Sequence, residues 1–472
     1  MSEFTPTIGL EVHVEIKSKS KLFSDSANTY GMATNTSVNI IDLGYPGTLP
    51  TVNKEIIRQG VRACKVLNCN ITRKMHFDRK NYFYPDNSKN YQITQNRTPI
   101  GRDGYVEIEV DGVKKKIGIS DIHIEEDTCK SAHRGSVSLL DFNRAGVPLI
   151  EIVTTPCISN GKEAMAYLTK LKELLFYANI SDCKMEEGSM RCDANVSISK
   201  DEKLGTRTET KNISSIHNVG LAIEKEIERQ EEVLRSGGKI YEETRRFDDK
   251  LGETILMRVK ETGNDYRYFI EPDIPYLELT DEFINESLST LPLLPDELRE
   301  KYSKVGLSSL QIEKLINNRS LNDYFLGLLE FKTNYVTVVN LLLSDISSYL
   351  NKHNKVITDT KLTYEKLVNI VDSLEKGELS NKNVKDLIDS LMETDKTLNE
   401  LKKEFNIENI TDDTFIKEII TKVIENNSES VNDYKSGHDR ALKYLMGQVM
   451  KETKGSVNPK KANDMLLEAL NK

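Results

Sequence analysis

Polar side chains recur at alternate positions in four short stretches of this sequence, and each stretch contributes at least one carboxylate. The stretches are IGLEVHVEI (8–16), DIHIEED (121–127), RCDANVSI (191–198) and TRTETKN (206–212). Oxygen-rich groups with an occasional imidazole are ligands that Mg²⁺ and Mn²⁺ prefer, and these ions also bind nucleotide phosphates. The pattern therefore indicates metal-assisted phosphoryl chemistry, in which the Arg and Lys of the same stretches would hold phosphate oxygens.

The spacing of these residues is typical of β-strands with one buried face. Glu11 and His13 share one parity, whereas Leu10, Val12 and Val14 share the other. Because successive side chains of a strand point to opposite faces, one face would pack in a core and the other would be polar. A sheet with one solvated face has the same pattern without any site. The hypothesis of a site therefore requires that the four strands be neighbours.

Common nucleotide-binding motifs are missing from the chain. It has no GxxxxGK[ST], no GxGxxG after a strand and no GxSxG, which argues against a P-loop, a dinucleotide-binding turn and a hydrolase elbow. A bound nucleotide would lie on the sheet itself. Two segments, FDRKNYFYPDNSKNYQITQ (77–95) and NDYRYFIEPDIP (264–275), are rich in Tyr, Arg and Lys. Their tyrosines would either pack at a domain edge or stack on bases.

The composition of the chain changes near residue 293. All but one of the 12 prolines lie at or before Pro295. Upstream, alternating runs predict strands, with Asp111-Gly112 as a hairpin turn, and three amphipathic stretches predict helices. Downstream, apolar residues at spacings of three and four predict helices. We expect an α+β fold with a mainly antiparallel cradle domain over 1–292, a helical domain over 293–405 and a helical tail domain over 406–472.

Composition sets limits on location and partners. The N-terminus does not resemble a signal peptide, and no apolar run approaches the roughly 20 residues of a membrane span, so we expect a cytoplasmic protein without a membrane partner. Six scattered cysteines without a CxxC pair predict reduced thiols. The net charge of -9 requires any contact with nucleic acid to be local. The segment 433–472, with eight Lys/Arg against five Asp/Glu, is a candidate for such contact or is simply a solvated helix face.

Long motifs resemble one known family across the whole chain and in order. They resemble the B subunits of the bacterial aspartyl/glutamyl-tRNA amidotransferases, the GatB/GatE family. The motifs are IGLEVHVEI, GYPGTLP, FDRKNYFYPDNSKNYQITQ, HIEED, DFNRAGVPLIEIVTTP, MEEGSMRCDANVSI, TETKN, DYRYF and GQVMKETKGSVNP. An archaeal relative carries a large inserted domain, for which this chain is too short.

The resemblance implies an activity and a set of partners. It implies that the chain uses ATP and Mg²⁺ (or Mn²⁺) to phosphorylate the side-chain carboxylate of Glu-tRNA(Gln) or Asp-tRNA(Asn). Ammonia then displaces the phosphate and gives Gln-tRNA(Gln) or Asn-tRNA(Asn). An amidase A subunit would release the ammonia from glutamine, and a small C subunit would complete a heterotrimer. The basic tail would then contact the tRNA.

The resemblance also implies roles for individual residues, which we group by function. The predicted metal ligands are Glu11, His13, Glu125, Asp193 and Glu209. Glu126, Lys80 and Lys89 are predicted to lie near the ammonia route and to relay protons. Arg207, Lys211, Tyr266 and Arg267 are predicted to contact ATP phosphates and the aminoacyl end.

Two other functions use the same residues. A metal-dependent phosphoesterase or nuclease would use the carboxylate face without ATP and without partner subunits. A non-catalytic tRNA-binding scaffold of an amidotransferase would not need Glu11, His13 and Asp193 to face one cavity. The arrangement of these side chains, and their effect on activity, therefore separates the hypotheses.

Overall fold

The structure is a computed structural model and describes residues 3–201, 203–259, 266–405, 407, 413–436, 438–453, 457 and 459–471. The chain divides into two compact units, Met1–Pro295 and Asp296–Lys472. Asp265 of the DYRYF motif, residues 454–456 and 458 of the last motif and most of the polar break predicted after residue 405 lie outside the described residues. The further division of the second unit at residue 405 stays a prediction.

Most strands belong to the first unit's large sheet. Its nine strands run in the order β14-β13-β12-β11-β1-β10-β7-β6-β2, and the remaining strands form small ladders of two or three. The strands are β1 Thr5–Glu15, β2 Asn70–Ile71, β3 Lys74–Met75, β4 Asp78–Asn81, β5 Tyr91–Thr94, β6 Gly101–Val110, β7 Val113–Glu126, β8 Lys130–Arg134, β9 Val137–Asp141, β10 Pro148–Thr154, β11 Met190–Ser199, β12 Thr208–Lys211, β13 Glu243–Asp248, β14 Glu253–Val259, β15 Phe269–Ile270 and β16 Leu277–Glu278.

The expected α+β class is confirmed, with one refinement of the sheet. Each neighbouring pair in the large sheet is antiparallel except β12 and β13, which are parallel. A helix lies between these two strands in sequence and carries the chain back to the starting end, which is the connection that parallel neighbours need. The predicted hairpin turn between β6 and β7 is confirmed, because Asp111 and Gly112 have φ values of 52° and 79°, as a type I′ turn requires.

Helices cover the apolar face of the large sheet. They are α1 Lys54–Val66, α2 Gly161–Tyr177 and α3 Ile216–Arg235, with α4 Asp281–Ser289 beside α1. Side chains of the sheet that face them, such as Val12, Ile152 and Ala194, are fully buried. The predicted stop of α3 at glycine is also confirmed. Gly237 has φ 79°, and the Gly238 N–H donates to the Val233 carbonyl at 2.8 Å, which closes the helix end.

The second unit is helical, as predicted. Its helices are α5 Pro295–Lys304, α6 Ser309–Ile316, α7 Arg319–Leu328, α8 Tyr335–Leu341, α9 Ser347–His353, α10 Tyr364–Glu375, α11 Asn381–Glu393, α12 Leu398–Glu404, α13 Asp413–Asn426, α14 Ser428–Lys435, α15 Asp439–Glu452 and α16 Pro459–Leu470. A short π-helix over Leu342–Ile346 joins α8 to α9. Residues of α13, α15 and α16 share an apolar core of their own. Within the described residues, none of the helices has the length and hydrophobicity to span a bilayer. All six cysteines are free thiols.

Candidate functional site

Polar side chains of five adjacent strands meet on the face of the large sheet opposite the helices. β1 lies at the centre of this face, between β11 and β10, and its Glu11 and His13 are two residues apart and point the same way. In the ladder, Glu11 is directly opposite Asp193 and His13 is directly opposite Glu151. Because directly opposed residues share a face, strand pairing alone brings these groups together.

The first acidic cluster consists of His13, Glu125 and Glu151. One ligand atom from each of these residues lies within 4.8 Å of the other two. The Nε2 of His13 is 3.5 Å from a carboxylate oxygen of both Glu125 and Glu151. His123 supports this cluster from β7, since its Nε2 is 2.7 Å from Glu151 Oε2 and its Nδ1 is 3.1 Å from Asp121 Oδ1. The imidazole therefore fixes the orientation of Glu151.

The second acidic cluster consists of Glu11, Asp193 and Glu209, again with ligand atoms within 4.8 Å of one another. The Lys211 ammonium bridges two of them, at 2.5 Å from Asp193 Oδ2 and 2.9 Å from Glu209 Oε1. Asn195 donates an amide hydrogen bond of 2.9 Å to Glu11 Oε1. The cluster thus already binds one positive charge, that of a lysine from its own sheet.

Negative charge dominates the electrostatics of this face. Burial raises the pKa of Glu11 above its ordinary value, and the charge of Glu151 raises it further, although the hydrogen bond from Asn195 acts in the opposite direction. Burial lowers the pKa of His123, but its neighbouring carboxylates, Glu151 first, outweigh burial and bring the pKa to about 10. These carboxylates therefore favour the protonated form of the imidazole. Because neighbouring carboxylates also raise the pKa of Glu11, an added cation at the second acidic cluster would relieve their mutual repulsion.

Lys80 reaches the first acidic cluster from β4. Burial lowers the pKa of its ammonium, yet the charges of Glu125 and other neighbours raise it above the ordinary value overall. The Lys80 ammonium also lies 5.0 Å from the centre of the Tyr266 ring, a cation–π contact. Arg267, the next residue, has a left-handed φ of 47° and is exposed. Lys80 and Tyr266 thus line the same side of the cluster.

Lys89 and Glu126 form a separate ion pair. The Lys89 ammonium donates to Glu126 Oε1, which also accepts the backbone N–H of Ile93 at 3.0 Å. Both side chains are largely buried. Of the three residues predicted near the ammonia route, two therefore contact each other directly, whereas Lys80 interacts with the acidic cluster.

A hollow of about 230 Å³ adjoins the second acidic cluster. Glu11 lies at one side of it and Arg207 at another, and much of the remaining lining is apolar, including Val153, Pro156 and Leu204. Arg207 is exposed. An apolar hollow beside an arginine and a carboxylate cluster can accept a flat ring at one end and anionic oxygens at the other.

The structure brings together all five predicted metal ligands, in two neighbouring clusters. The sequence reasoning missed Glu151, the member common to the contacts of His13 and His123. Its signal is the stretch IEI at 150–152, in which a carboxylate alternates with buried isoleucines. Because Glu151 is the single carboxylate of this stretch, the stretch was not recognised as a fifth strand with a polar face.

The fold and the polar face of its large sheet define an α+β protein with a candidate divalent-cation site on an open sheet. Residues 6–285 match the model of the GatB/GatE catalytic domain, and residues 323–470 match that of the GatB domain. The chain therefore belongs to the GatB/GatE family, which confirms the prediction from its motifs and, with it, the predicted class of enzyme, a ligase-type amidotransferase subunit.

Full-length relatives agree with the family model. The chain is 46% identical over 473 residues to the B subunit of the aspartyl/glutamyl-tRNA(Asn/Gln) amidotransferase of Bacillus licheniformis, with 99% of each chain covered. It is 46% identical over 470 residues to the protein of that name from Limosilactobacillus reuteri strain DSM 20016, again with 99% of each covered. For the Bacillus mycoides protein the identity is 46% over 468 residues, with 98% of each covered.

Proposed function

We propose that the chain phosphorylates the side-chain carboxylate of Glu-tRNA(Gln) or Asp-tRNA(Asn) with ATP and directs ammonia onto the activated acyl group. The observation that carries this proposal is the pair of acidic clusters on one face of the sheet. A carboxylate is a poor acyl donor because its leaving group would be oxide, and phosphorylation supplies a better one. Phosphoryl transfer needs positioning and charge neutralisation more than a protein nucleophile.

The donor set of the two clusters fits Mg²⁺ or Mn²⁺. Five carboxylates and one imidazole are hard ligands, and thiols are absent from both sets. The two clusters would hold the cation, which when bound supplies positive charge against phosphate oxygens. Burial raises the pKa of Glu11, and the charges of Glu151, Glu209 and Asp193 raise it further, so a bound cation would relieve that repulsion.

ATP would lie along β1, from the hollow towards the clusters. The apolar lining of the hollow suits the base, and Arg207 and Lys211 suit the phosphates. Lys211 would exchange a carboxylate partner for a phosphate oxygen. The substrate carboxylate would approach from the side of Lys80, with Tyr266 and Arg267 against the aminoacyl end. Its oxygen attacks the γ-phosphorus, an O–P bond forms, and the bond to the β-phosphate oxygen breaks, releasing ADP.

The Lys89–Glu126 pair would act in the second step. The nitrogen of ammonia attacks the activated acyl carbon, the C–O bond to phosphate breaks, and inorganic phosphate leaves. Ammonium must lose a proton before it can attack, and the resulting amide nitrogen must lose another. Glu126 would accept the proton that an incoming ammonium ion loses, and the Lys89 ammonium, which donates to the same carboxylate, would hold it in position.

Partner subunits and a cellular location belong to the same proposal. An amidase A subunit would supply the ammonia, and a small C subunit would complete a heterotrimer. The relatives support an assembly of this kind, because each is named as one subunit of an amidotransferase. The substrates would be tRNA(Gln), tRNA(Asn) or both, and the complex would act in the cytoplasm beside the translation machinery.

The decisive experiment is reconstitution. The chain is co-purified with the A and C subunits of the same genome and incubated with Glu-tRNA(Gln) or Asp-tRNA(Asn), glutamine, Mg²⁺ and ATP. We expect conversion to the amide that depends on ATP and on Mg²⁺. Hydrolysis of the RNA without ATP would favour a nuclease instead. Full conversion by a complex that carries Glu11→Gln, His13→Ala and Asp193→Asn together would reduce this chain to a scaffold.

A further inference from the structure

A buried ion pair outside the acidic clusters lies beside Lys89 and Glu126. The Lys21 ammonium is 3.1 Å from Asp42 Oδ2, and the two side chains are 0% and 3% exposed. Asp42 accepts hydrogen bonds of 2.7 Å from the hydroxyls of both Ser24 and Ser26. The backbone N–H of Asn39 donates to the same carboxylate at 3.0 Å. The carboxylate is therefore held in one orientation from several sides.

The chain approaches this pair closely at Gly146. Gly146 has a left-handed φ of 81°, and a Cβ added to it would lie 2.9 Å from Asp42 Oδ1 and 3.4 Å from Lys21 Cδ. The Lys21 ammonium also lies 3.4 Å from the Phe142 carbonyl oxygen. Glycine thus lets the turn 142–146 cover the ion pair, which explains its complete burial.

Contacts of neighbouring residues connect this pair to Lys89. The Ser88 hydroxyl donates to the Asp42 backbone carbonyl at 2.6 Å. Gly44, two residues after Asp42, lies so close that a Cβ on it would be 2.7 Å from Lys89 Cγ. Asp42, Lys89 and Glu126 also line one hollow of about 10 Å³, room for about one water-sized molecule. The aliphatic stem of Lys89 therefore rests on the loop that Lys21 and Asp42 fix in place.

Stability alone does not account for a buried charge pair at this position. Burying two charges carries a desolvation penalty that often equals their attraction, so apolar residues of similar volume commonly serve folding equally well. A fixed negative charge and a fixed positive charge do, however, define the position and field of neighbouring charges. Lys21 acts on Glu126 in this way, since Glu126 is among the carboxylates that oppose the fall of the Lys21 pKa on burial.

We propose that Lys21 and Asp42 are a positioning pair that holds the Lys89 ammonium against the Glu126 carboxylate at the step where ammonia is used. The inference rests on the proposed function, because it assigns the pair to amidation and not to phosphorylation. Neither residue contacts the acidic clusters through any hydrogen bond or ion pair of the described residues. Loss of the pair should therefore separate the two half-reactions.

The test uses the reconstituted heterotrimer with Lys21→Met, Asp42→Asn and the double variant. The double variant leaves no unpaired buried charge and nearly conserves volume, so it keeps the test valid if a single variant unfolds. Lys89→Met is the reference for a damaged ammonia step. Glu226→Gln is the matched control, because Glu226 is another fully buried carboxylate in a hydrogen-bond network, with Thr208 and Gln230 beneath α3.

Three quantities are measured for each complex: the rate of ATP-dependent acyl-phosphate formation, kcat/KM for ammonium chloride, and the ATP consumed per amide formed. We expect wild-type acyl-phosphate formation in the double variant, a roughly 10- to 100-fold lower kcat/KM for ammonium and more ATP consumed per amide. Adding Lys89→Met should cause little further loss, because both changes disable one unit. Glu226→Gln should leave the ammonium kcat/KM unchanged.

Two results would overturn the inference. One is a double variant with wild-type kcat/KM for ammonium and wild-type coupling to ATP. The other is a fall of both half-reactions in parallel with a loss of thermal stability, which would assign the pair to folding alone. If the wild-type complex forms no acyl phosphate, the proposed function itself fails, and that outcome is visible before any variant is compared.

Discussion

Replacing Asp193 by asparagine removes one negative charge from the second acidic cluster without changing the size of the side chain. Lys211, 2.5 Å from Asp193 Oδ2, then faces a neutral amide there, and its 2.9 Å contact with Glu209 remains an ion pair. The cluster then has two carboxylates in place of three. Changing even a residue that only orients metal ligands costs roughly 10- to 100-fold in metal affinity or activity. We therefore expect phosphorylation to fall at least roughly 100-fold, or about 2.7 kcal/mol of transition-state free energy.

Folding should hardly change in this variant. The Lys211 side chain is 34% exposed and that of Asp193 is 16% exposed, so solvent screens much of their attraction. Partly exposed pairs contribute about 1 kcal/mol or less. Removing a carboxylate also relieves the repulsion that raises the pKa of Glu11. The loss of activity should therefore greatly exceed the loss of stability.

The assay is ADP release and trapped acyl phosphate in the reconstituted complex with Glu-tRNA(Gln) and saturating ATP. Asp182→Asn is the matched control, since Asp182 pairs with Lys17 at 2.6 Å on the exposed surface of the same unit. The control should retain wild-type rates, and assembly with the partner subunits should be normal in both variants. Acyl phosphate at the wild-type rate in Asp193→Asn would remove Asp193 from the site and refute this reasoning.

Three further predictions concern stability and RNA binding. Burial raises the pKa of Glu15 from 4.5 to about 7. The folded protein therefore favours the protonated carboxyl, so the contribution of Glu15 to the unfolding free energy is fully present below pH 4.5 and is lost as pH rises through 7. In urea unfolding, Glu15→Gln should stabilise the protein at pH 8 by up to about 3 kcal/mol and give no such gain at pH 4. Gly161→Ala places a Cβ 2.4 Å from the Gly220 carbonyl oxygen, where α2 meets α3, and should lower the unfolding free energy by about 1–3 kcal/mol. Gly447→Ala is the control: a Cβ added there has no atom within 4 Å, and the variant should raise the unfolding free energy by up to about 1 kcal/mol. Deleting 410–472 should weaken tRNA binding and flatten its salt dependence while assembly persists; unchanged filter-binding curves at several salt concentrations would exclude the tail as an RNA contact.

The sequence predicted the strands of the site well because one physical rule dominates them. A strand with one buried face must alternate, so Glu11, His13 and Asp193 were visible as polar members of apolar strands, and Glu209 was visible as a charged residue alternating with threonines. Their adjacency was not visible, because pairing order depends on contacts between segments far apart in the chain, such as that of Asn195 with Glu11, 184 residues away. The family resemblance, and not the alternation, is what predicted that these strands act together.

The misses have local causes. Glu151 is the one charged residue in a strand that is otherwise buried or apolar. A single charged residue does not make an alternating pattern, so the polar face of this strand could not be recognised. The parallel pairing of β12 and β13 follows from the crossover helix α3, whose position over the sheet no periodicity reveals. The role of Lys21 was also hidden, because a buried lysine looks like a surface lysine until its partner, Asp42, is known.

Diffraction from crystals of the complex grown with Mn²⁺ and a non-hydrolysable ATP analogue tests the central claim most directly, because manganese scatters anomalously. We predict anomalous peaks within coordination distance of Glu11, Asp193 and Glu209 or of His13, Glu125 and Glu151, with the analogue's phosphates beside them. Manganese bound elsewhere, or an analogue bound away from this face of the sheet, would contradict the claim.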